Sequence, residues 1–366
     1  MSVVVKRTVA SVKRGISKDK KRIGISTGCT LLNLACSDKP GRAFTTGTMI
    51  NLVGASFAGK TVIAESILAE ACCNPKFDKY RLYEDSPEFS DGTRKLFGSK
   101  FLARVKPPVL TRAIKNKKTG KKEQRMIECS ETIEDLRDNF LNALDTGEAC
   151  FYDLDSLDAL TSRDEQVKAK EIRSANVSGS DITGSMKMER AKILTETLRL
   201  CYSKIHHSDS FVIIVSQVRA NVQRISFMQD KYQRAGAEAL KHFCSHEVWF
   251  TLCEKIKKKG VSVGVWTKAT IKKNRSTGKD RTVYFPILFD YGIDDIRANI
   301  NYLCDMKIWT GDTKINTGEF AGTLKEDELI DYIEREHKER DLVNLVSSTW
   351  MEFEDSIKSN RVPRYS

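Results

Sequence analysis

No stretch of this chain runs through some 18 apolar residues, and no charged, apolar and small-residue leader opens it, so membrane insertion and secretion are not expected. Cysteine occurs ten times but never as C-x-x-C, and positions 29, 36, 72, 73, 129, 150, 201, 244, 253 and 304 show no framework spacing. Most fall in apolar runs and read as reduced core thiols of a cytoplasmic protein. His242, Cys244 and His246 resemble part of a metal site, yet no second cluster completes four ligands, so no structural metal is expected. Negative charge is the scarcer sign: 49 Asp and Glu stand against 61 Lys and Arg, a net charge of +12. Such an imbalance speaks about partners rather than fold, and nucleic acid is the first polyanion to consider.

What is present is enough for a sizeable core. With 366 residues, 40% of them hydrophobic, one large domain with a small accessory piece fits better than two equal halves. The most specific stretch is Gly54-Ala55-Ser56-Phe57-Ala58-Gly59-Lys60-Thr61, which meets every fixed position of the phosphate-binding pattern G-x-x-x-x-G-K-[ST]. It follows the apolar run Met49 to Val53 and opens a helical stretch beginning at Val62. Its two glycines let consecutive backbone N–H groups curl around an anion, and the helix adds its positive dipole end. Lys60 is placed to neutralise β- and γ-phosphate charge, and Thr61 to give Mg²⁺ a hydroxyl ligand.

A second half of the site is expected about 90 residues on, where an apolar strand ends in acid: Ala149-Cys-Phe-Tyr-Asp153-Leu-Asp155-Ser156. Asp155 is the preferred metal-orienting carboxylate, Asp153 its competitor, and Asp158 reads as the cap of the next turn. Tyr80 to Tyr83 reads as a strand followed by Glu84-Asp-Ser-Pro-Glu88, the place for a general base; Glu88 and Glu84 are both candidates. Gln217, at the tip of the strand Phe211 to Val215, can hydrogen-bond a γ-phosphate and respond to its loss.

The chain begins with a basic segment, eight Lys or Arg against one Asp over residues 1–23. Lys115 to Lys122 is a basic turn between two extended pieces, treated as an aid to nucleic-acid binding rather than a site. Residues 161–185 carry no periodicity and read as a long loop, and 219–236 as another, where Arg219, Arg224, Lys231 and Arg234 interleave with Phe227 and Tyr232. Loops after successive central strands share one sheet edge, and basic and aromatic groups together suit a single strand of nucleic acid. Beyond two hairpin strands joined by Lys273-Asn274-Arg275-Ser-Thr-Gly278, residues 325–356 hold eleven acidic against four basic residues on an amphipathic pattern. That segment reads as a small helical appendage able to compete with DNA or to recruit partners.

Taken together, Ile25-Ser-Thr-Gly28, the phosphate loop, Asp155-Ser156-Leu-Asp158-Ala-Leu160, Ile214-Val-Ser-Gln217-Val-Arg219, Ala239-Leu-Lys-His-Phe243, Lys273-Asn274-Arg275 and Phe285 to Asp294 resemble the RecA/Rad51 recombinase family. The likeness is greatest to the RecA-like recombinases of bacteriophages, and it runs from about Ile25 to Asp295. It implies an α/β fold, a RecA-like P-loop NTPase core with a mainly parallel central sheet flanked by helices. It implies a basic segment over 1–24, a core over 25–310 and a helical acidic region over 311–366. The cofactors implied are ATP, held by residues 54–62 including Val62, and Mg²⁺, held by Thr61 and Asp155. Lys60, Glu88, Glu84 and Gln217 are implied to serve hydrolysis, while Lys273 and Arg275 match cations that reach the ATP of an adjacent subunit.

The resemblance also implies DNA contacts from a first loop over 162–185, with Arg163, Lys168, Lys170 and Arg173, and from a second over 218–237. The implied partners are single- and double-stranded DNA, further copies of the chain in a helical filament, and single-strand-binding or loader proteins. The implied activity is DNA-dependent ATP hydrolysis driving homologous pairing and strand exchange. A hexameric RecA-core helicase or motor, and a non-catalytic DNA-binding mediator, are the other readings these motifs admit.

Overall fold

In the computed structural model, residues 22–86, 94–115, 122–168, 183–220, 232–234, 238–359 and 361 are described. The elements in chain order are β1 (Gly24–Ile25), α1 (Thr30–Ser37), β2 (Phe44–Thr45), β3 (Thr48–Gly54), α2 (Lys60–Cys73), β4 (Arg81–Asp85), α3 (Gly98–Arg104), β5 (Val105–Lys106), β6 (Val109–Lys115) and β7 (Lys122–Glu128). Next come α4 (Ile133–Asp145), β8 (Cys150–Leu154), α5 (Thr183–Ser208), β9 (Phe211–Ala220), β10 (Tyr232–Arg234), α6 (Glu238–Phe243), β11 (His246–Lys258), β12 (Val261–Asn274) and β13 (Thr282–Leu288). The chain closes with β14 (Gly292–Ile293), α7 (Asp295–Asp305), β15 (Ile315–Asn316), β16 (Thr323–Leu324), α8 (Glu326–Arg335) and α9 (Glu339–Ser356).

The fold is α/β. Its central sheet runs β14-β13-β12-β11-β3-β9-β8-β4-β5, with β10 paired to β9. From β11 to β5 neighbouring strands are parallel, while β12, β13 and β14 fold back antiparallel as a flank. Parallel strands need crossovers and helices on both faces, and their residues are buried both ways. Strand β9 shows this in its alternation: Phe211, Ile213 and Val215 belong to the core shared with α1 and α2, whereas Val212 and Ile214 belong to the core shared with α4 and α5. A two-residue period therefore serves two separate cores.

Helix α4 starts where Thr132 and Asp135 cap each other reciprocally, the side chain of each accepting from the other's backbone N–H. Helix α5 begins at Thr183 and residues 163–168 are helical, so the irregular stretch expected over 161–185 is shorter than its composition suggested. Helical packing against α4 overrides weak local periodicity. The C-terminal helices are not separate from the sheet in packing terms. Leu329, Ile333, Leu342, Val346 and Trp350 fill the same core as Leu31, Ile300 and Leu303. Glu354 on α9 accepts from Arg281 at 2.5 and 2.8 Å and lies 2.8 Å from Lys279, while Arg297 pairs with Glu326 and Asp327.

Candidate nucleotide and nucleic-acid site

The phosphate loop sits at the end of β3, between β11 and β9, with Gly54 in register with Phe250 on one side and Gln217 on the other. Neighbouring backbone leaves no room at its first position, since a Cβ on Gly54 would approach the Phe250 carbonyl oxygen to 2.5 Å. Gly59 caps α2 at a φ of 85°, in the left-handed region that glycine adopts at no steric cost, and a Cβ there would collide with Ile287. Ala55, Ser56 and Phe57 are exposed at the top of the loop, Ala58 is buried, and Val62 is half-buried on the first turn of α2.

Lys60 is buried and its ammonium donates to the Ala55 carbonyl at 2.7 Å, so the cation is curled over its own loop. Burial lowers its pKa, against the opposing pull of Asp155 and Asp158. The Thr61 hydroxyl donates to Asp155 Oδ2 at 2.5 Å. A hydroxyl and a carboxylate brought within hydrogen-bond reach at a helix N-terminus form the oxygen set that suits Mg²⁺ beside nucleotide phosphates. Between the sequence's two candidates, the structure brings Asp155 to Thr61, whereas Asp153 is buried two residues earlier, within β8. Asp158 does not cap its own turn; its Oδ2 accepts the Gln217 backbone N–H at 2.6 Å.

Below the loop lies a group of carboxyls that adds Glu65, not singled out in the sequence, to the candidates Glu84 and Asp153. Glu65 on α2, Glu84 on β4 and Asp153 on β8 are all buried. Burial first, and then the negative charge of Glu84 and Asp155, push Glu65 up to about 8. Asp153 is pushed well up by burial, then by Asp155 and Glu84. Glu84 is raised by burial and held back by Arg94, whose guanidinium lies 3.1 Å away. A Glu five residues after Lys60 within the mainly apolar run Val62 to Leu68 is the local signal of Glu65 alone, and it says nothing of the partners on β4 and β8. Asp85 is also buried, accepting from Ser130 N–H at 2.6 Å, from Ser130 Oγ at 2.5 Å and from Tyr152 OH at 2.5 Å. Glu88 lies outside the described residues.

Gln217 is exposed at the same strand edge as Gly54, on adjacent parallel strands. Strand β9 continues past it to Ala220, where β10 pairs antiparallel: Arg234 opposite Val218, Gln233 opposite Arg219 and Tyr232 opposite Ala220. The second loop expected over 219–236 thus starts and ends as a two-stranded ribbon, because a strand pair satisfies backbone groups that an irregular loop would leave to water. Arg224, Phe227 and Lys231 lie outside the described residues. Arg163 donates to Asp135 at 3.1 Å and to Asp138 at 3.4 Å, and Lys168 is exposed. Lys170 and Arg173 lie outside the described residues.

Lys273 and Arg275 are at the far end of the sheet. Asn274 pairs with His246, which pairs with Ile50, four residues before Gly54, a separation of about 13 Å along the strand. Lys273 donates to the Lys241 carbonyl and Arg275 to the His242 carbonyl, the latter at 2.7 Å, at the end of α6. Cations near a helix C-terminus are favourably placed. They lie at the opposite pole from the phosphate loop of their own chain.

Residues 136–294 match the family model described as the RecA N-terminal domain, a stretch that takes in β8, β9 and the β11–β13 hairpins and begins downstream of the phosphate loop. The chain is 26% identical over 119 residues to Protein RecA of Sulfurovum sp. (strain NBC37-1), covering 32% of this chain and 34% of that one. It is 25% identical over 171 residues to Protein RecA of Ureaplasma parvum serovar 3, covering 44% of this chain and 50% of that one. The chain thus spans half or less of the length of the curated relatives it matches. Residues 136–294 are thus similar to the RecA N-terminal domain, and the mainly parallel sheet with the loop-bearing strand at its centre is consistent with a RecA-like core.

Proposed function

We propose that this protein is an ATP-dependent DNA recombinase that coats single-stranded DNA as a helical filament and promotes homologous pairing and strand exchange. The observation that carries this reading is the register of Gly54 with Gln217 on neighbouring strands, together with the extension of β9 beyond Gln217 into the β9–β10 ribbon. A polar side chain beside the phosphate loop, on a strand that leads straight into a basic segment, links the nucleotide to the DNA grip. On this reading Lys60 and the loop from Gly54 to Val62 hold ATP, Thr61 and Asp155 hold Mg²⁺, and Gln217 senses the γ-phosphate.

Glu88 is the proposed general base. Glu84 is held inside by Arg94 and crowded by Glu65 and Asp155, which suits a positioning role. Lys273 and Arg275 are proposed to act on the ATP of the next protomer, in keeping with their distance from their own loop. Lys168 and the cations of 169–182 and 219–236 would grip single-stranded DNA, with Arg163 anchoring the first of these segments to α4. The core of 25–310 would be flanked by a basic arm over 1–24 and the helical acidic region of 311–366, working in the cytoplasm with loader or single-strand-binding proteins. Among the described residues no helix is long and apolar enough to cross a membrane.

Electron microscopy of the protein with single-stranded DNA, Mg²⁺ and a slowly hydrolysed ATP analogue tests this function. Helical filaments are expected; closed rings at saturating DNA would replace the reading with that of a hexameric motor.

A further inference from the structure

The β6–β7 hairpin is a two-stranded unit apart from the central sheet, and its charge has no role in the function above. Residues 109–128 hold seven Lys or Arg (112, 115, 117, 118, 121, 122 and 125) and two acids, Glu123 and Glu128. Its register puts Arg112 directly opposite Arg125 and Lys115 directly opposite Lys122. Like charges facing across a ladder destabilise it, and a lone two-stranded hairpin is marginal in water. The strands therefore carry a charge arrangement that costs stability on its own and that a polyanion relieves.

The foot of the ribbon is fixed. Cys129 N–H donates to the Pro108 carbonyl at 3.0 Å, closing its base, and Ser130 is held to Asp85 through both N–H and Oγ. Leu110 and Cys129 are buried beside this anchor. Since β5 runs parallel to β4, with Lys106 level with Tyr83, the chain leaves β5 heading toward the sheet edge that carries Gly54 and Gln217. Seven residues per strand give it a reach of about 20 Å.

We infer that the β6–β7 hairpin is an arm that holds the phosphate backbone of duplex DNA. Its chemistry distinguishes duplex from single strand. Residues 109–128 contain no Phe, Tyr or Trp, so the arm lacks the stacking platforms that unpaired bases require, and its cations suit a backbone whose bases are already stacked inside a helix. The inference rests on the DNA-binding function proposed above and assigns to a separate element the capture of the second DNA partner.

The test compares the salt dependence of affinity for a duplex and for a single-stranded oligonucleotide, with Mg²⁺ and a slowly hydrolysed ATP analogue. Replacing all four strand cations (Arg112→Gln, Lys115→Gln, Lys122→Gln, Arg125→Gln) is expected to flatten the log–log salt slope for duplex by about 3 and to leave the single-strand slope within one unit. The double variant Lys115→Gln/Lys122→Gln, farther from the anchored foot, is expected to flatten it by about 2 and serves if the fourfold variant does not fold. Exchanging each Lys for Arg and each Arg for Lys is expected to restore the slope. An unchanged duplex slope, an equal loss on the single strand, or a charge-preserving variant as defective as the neutral one overturns the arm. Loss of self-association at an unchanged slope also overturns it, in favour of a contact between protein copies. If the unsubstituted protein binds neither DNA, it is the proposed function that fails.

Discussion

Thr61 and Asp155 are joined by a 2.5 Å hydrogen bond that ties the first turn of α2 to the end of β8. Two oxygens from separate elements meet only if the strand and the loop are both correctly seated, so the pair reports on assembly of the proposed Mg²⁺ position. Thr61→Ala and Asp155→Asn are each expected to lower kcat for ATP about 100-fold. Together they should cost far less than the product of the two, because they serve one ion. Steady-state turnover across a Mg²⁺ titration checks this, and a double variant that multiplies the two losses would sink the shared ion.

The surroundings of Glu84 set it apart as a candidate base. Glu84 is buried against Arg94. Glu84→Gln is expected to reduce turnover by less than about tenfold, whereas Glu88→Gln is expected to reduce it by more than about 100-fold with ATP binding retained. Single-turnover hydrolysis measured beside nucleotide affinity distinguishes the two, and the reverse order of effects would reassign the base.

Much of the fold was legible before any coordinates. The glycines and Lys60 of the phosphate loop have fixed identities because backbone curvature and charge leave no alternative. Other features depend on distant contacts. Glu65 and Asp153 stand 88 residues apart in sequence, and no local pattern reveals that burial beneath the loop brings them into one electrostatic group. The ribbon at Val218 to Arg234 was hidden for the same reason, since pairing across a gap of eleven residues leaves only a faint alternation.

Glu65 makes stability depend on pH in a stated direction. Its pKa rises from 4.5 to about 8 on folding, by burial and by the charges of Glu84 and Asp155, with Arg94 opposing. A carboxyl raised on folding contributes stability that is fully present below its unfolded value and is lost as pH climbs through about 8. Glu65→Gln is expected to add about 2 kcal/mol at pH 8 and almost nothing at pH 4. Denaturant unfolding at both pH values is the measurement, and an equal effect at both would remove the titration from the explanation.

Glu354 should behave in the opposite sense. Hydrogen bonding from Arg281, then Lys279, holds its pKa down to about 2. Its stabilising effect is present above 4.5 and fades as pH falls through about 2. Glu354→Gln is expected to cost about 3 kcal/mol at pH 7, because it leaves two cations beside a neutral amide. Thermal unfolding at neutral and acid pH reads the loss and its disappearance.

The proposed action between protomers has a direct signature. Lys60→Ala spoils the loop, and Lys273→Ala/Arg275→Ala spoils the distant cations while leaving the loop intact. Each variant alone is expected to be nearly inactive. An equimolar mixture with DNA should regain about a quarter of the wild-type rate, since random neighbours pair a sound loop with sound cations at that frequency. A mixture as inactive as its components would place both groups in service of the same chain.

Helix α9 fills the interior beside Leu31 and Ile300 with Leu342, Val346 and Trp350, and Trp350 also donates to Asp38 at 3.3 Å. The helix is thus a wall of the building and not a flag flown from it. Clipping the polypeptide just ahead of α8 would strip the shelter from an oily trough along α1 and α7, so the shortened molecule would clump before it could be asked whether its acidic tail restrains anything.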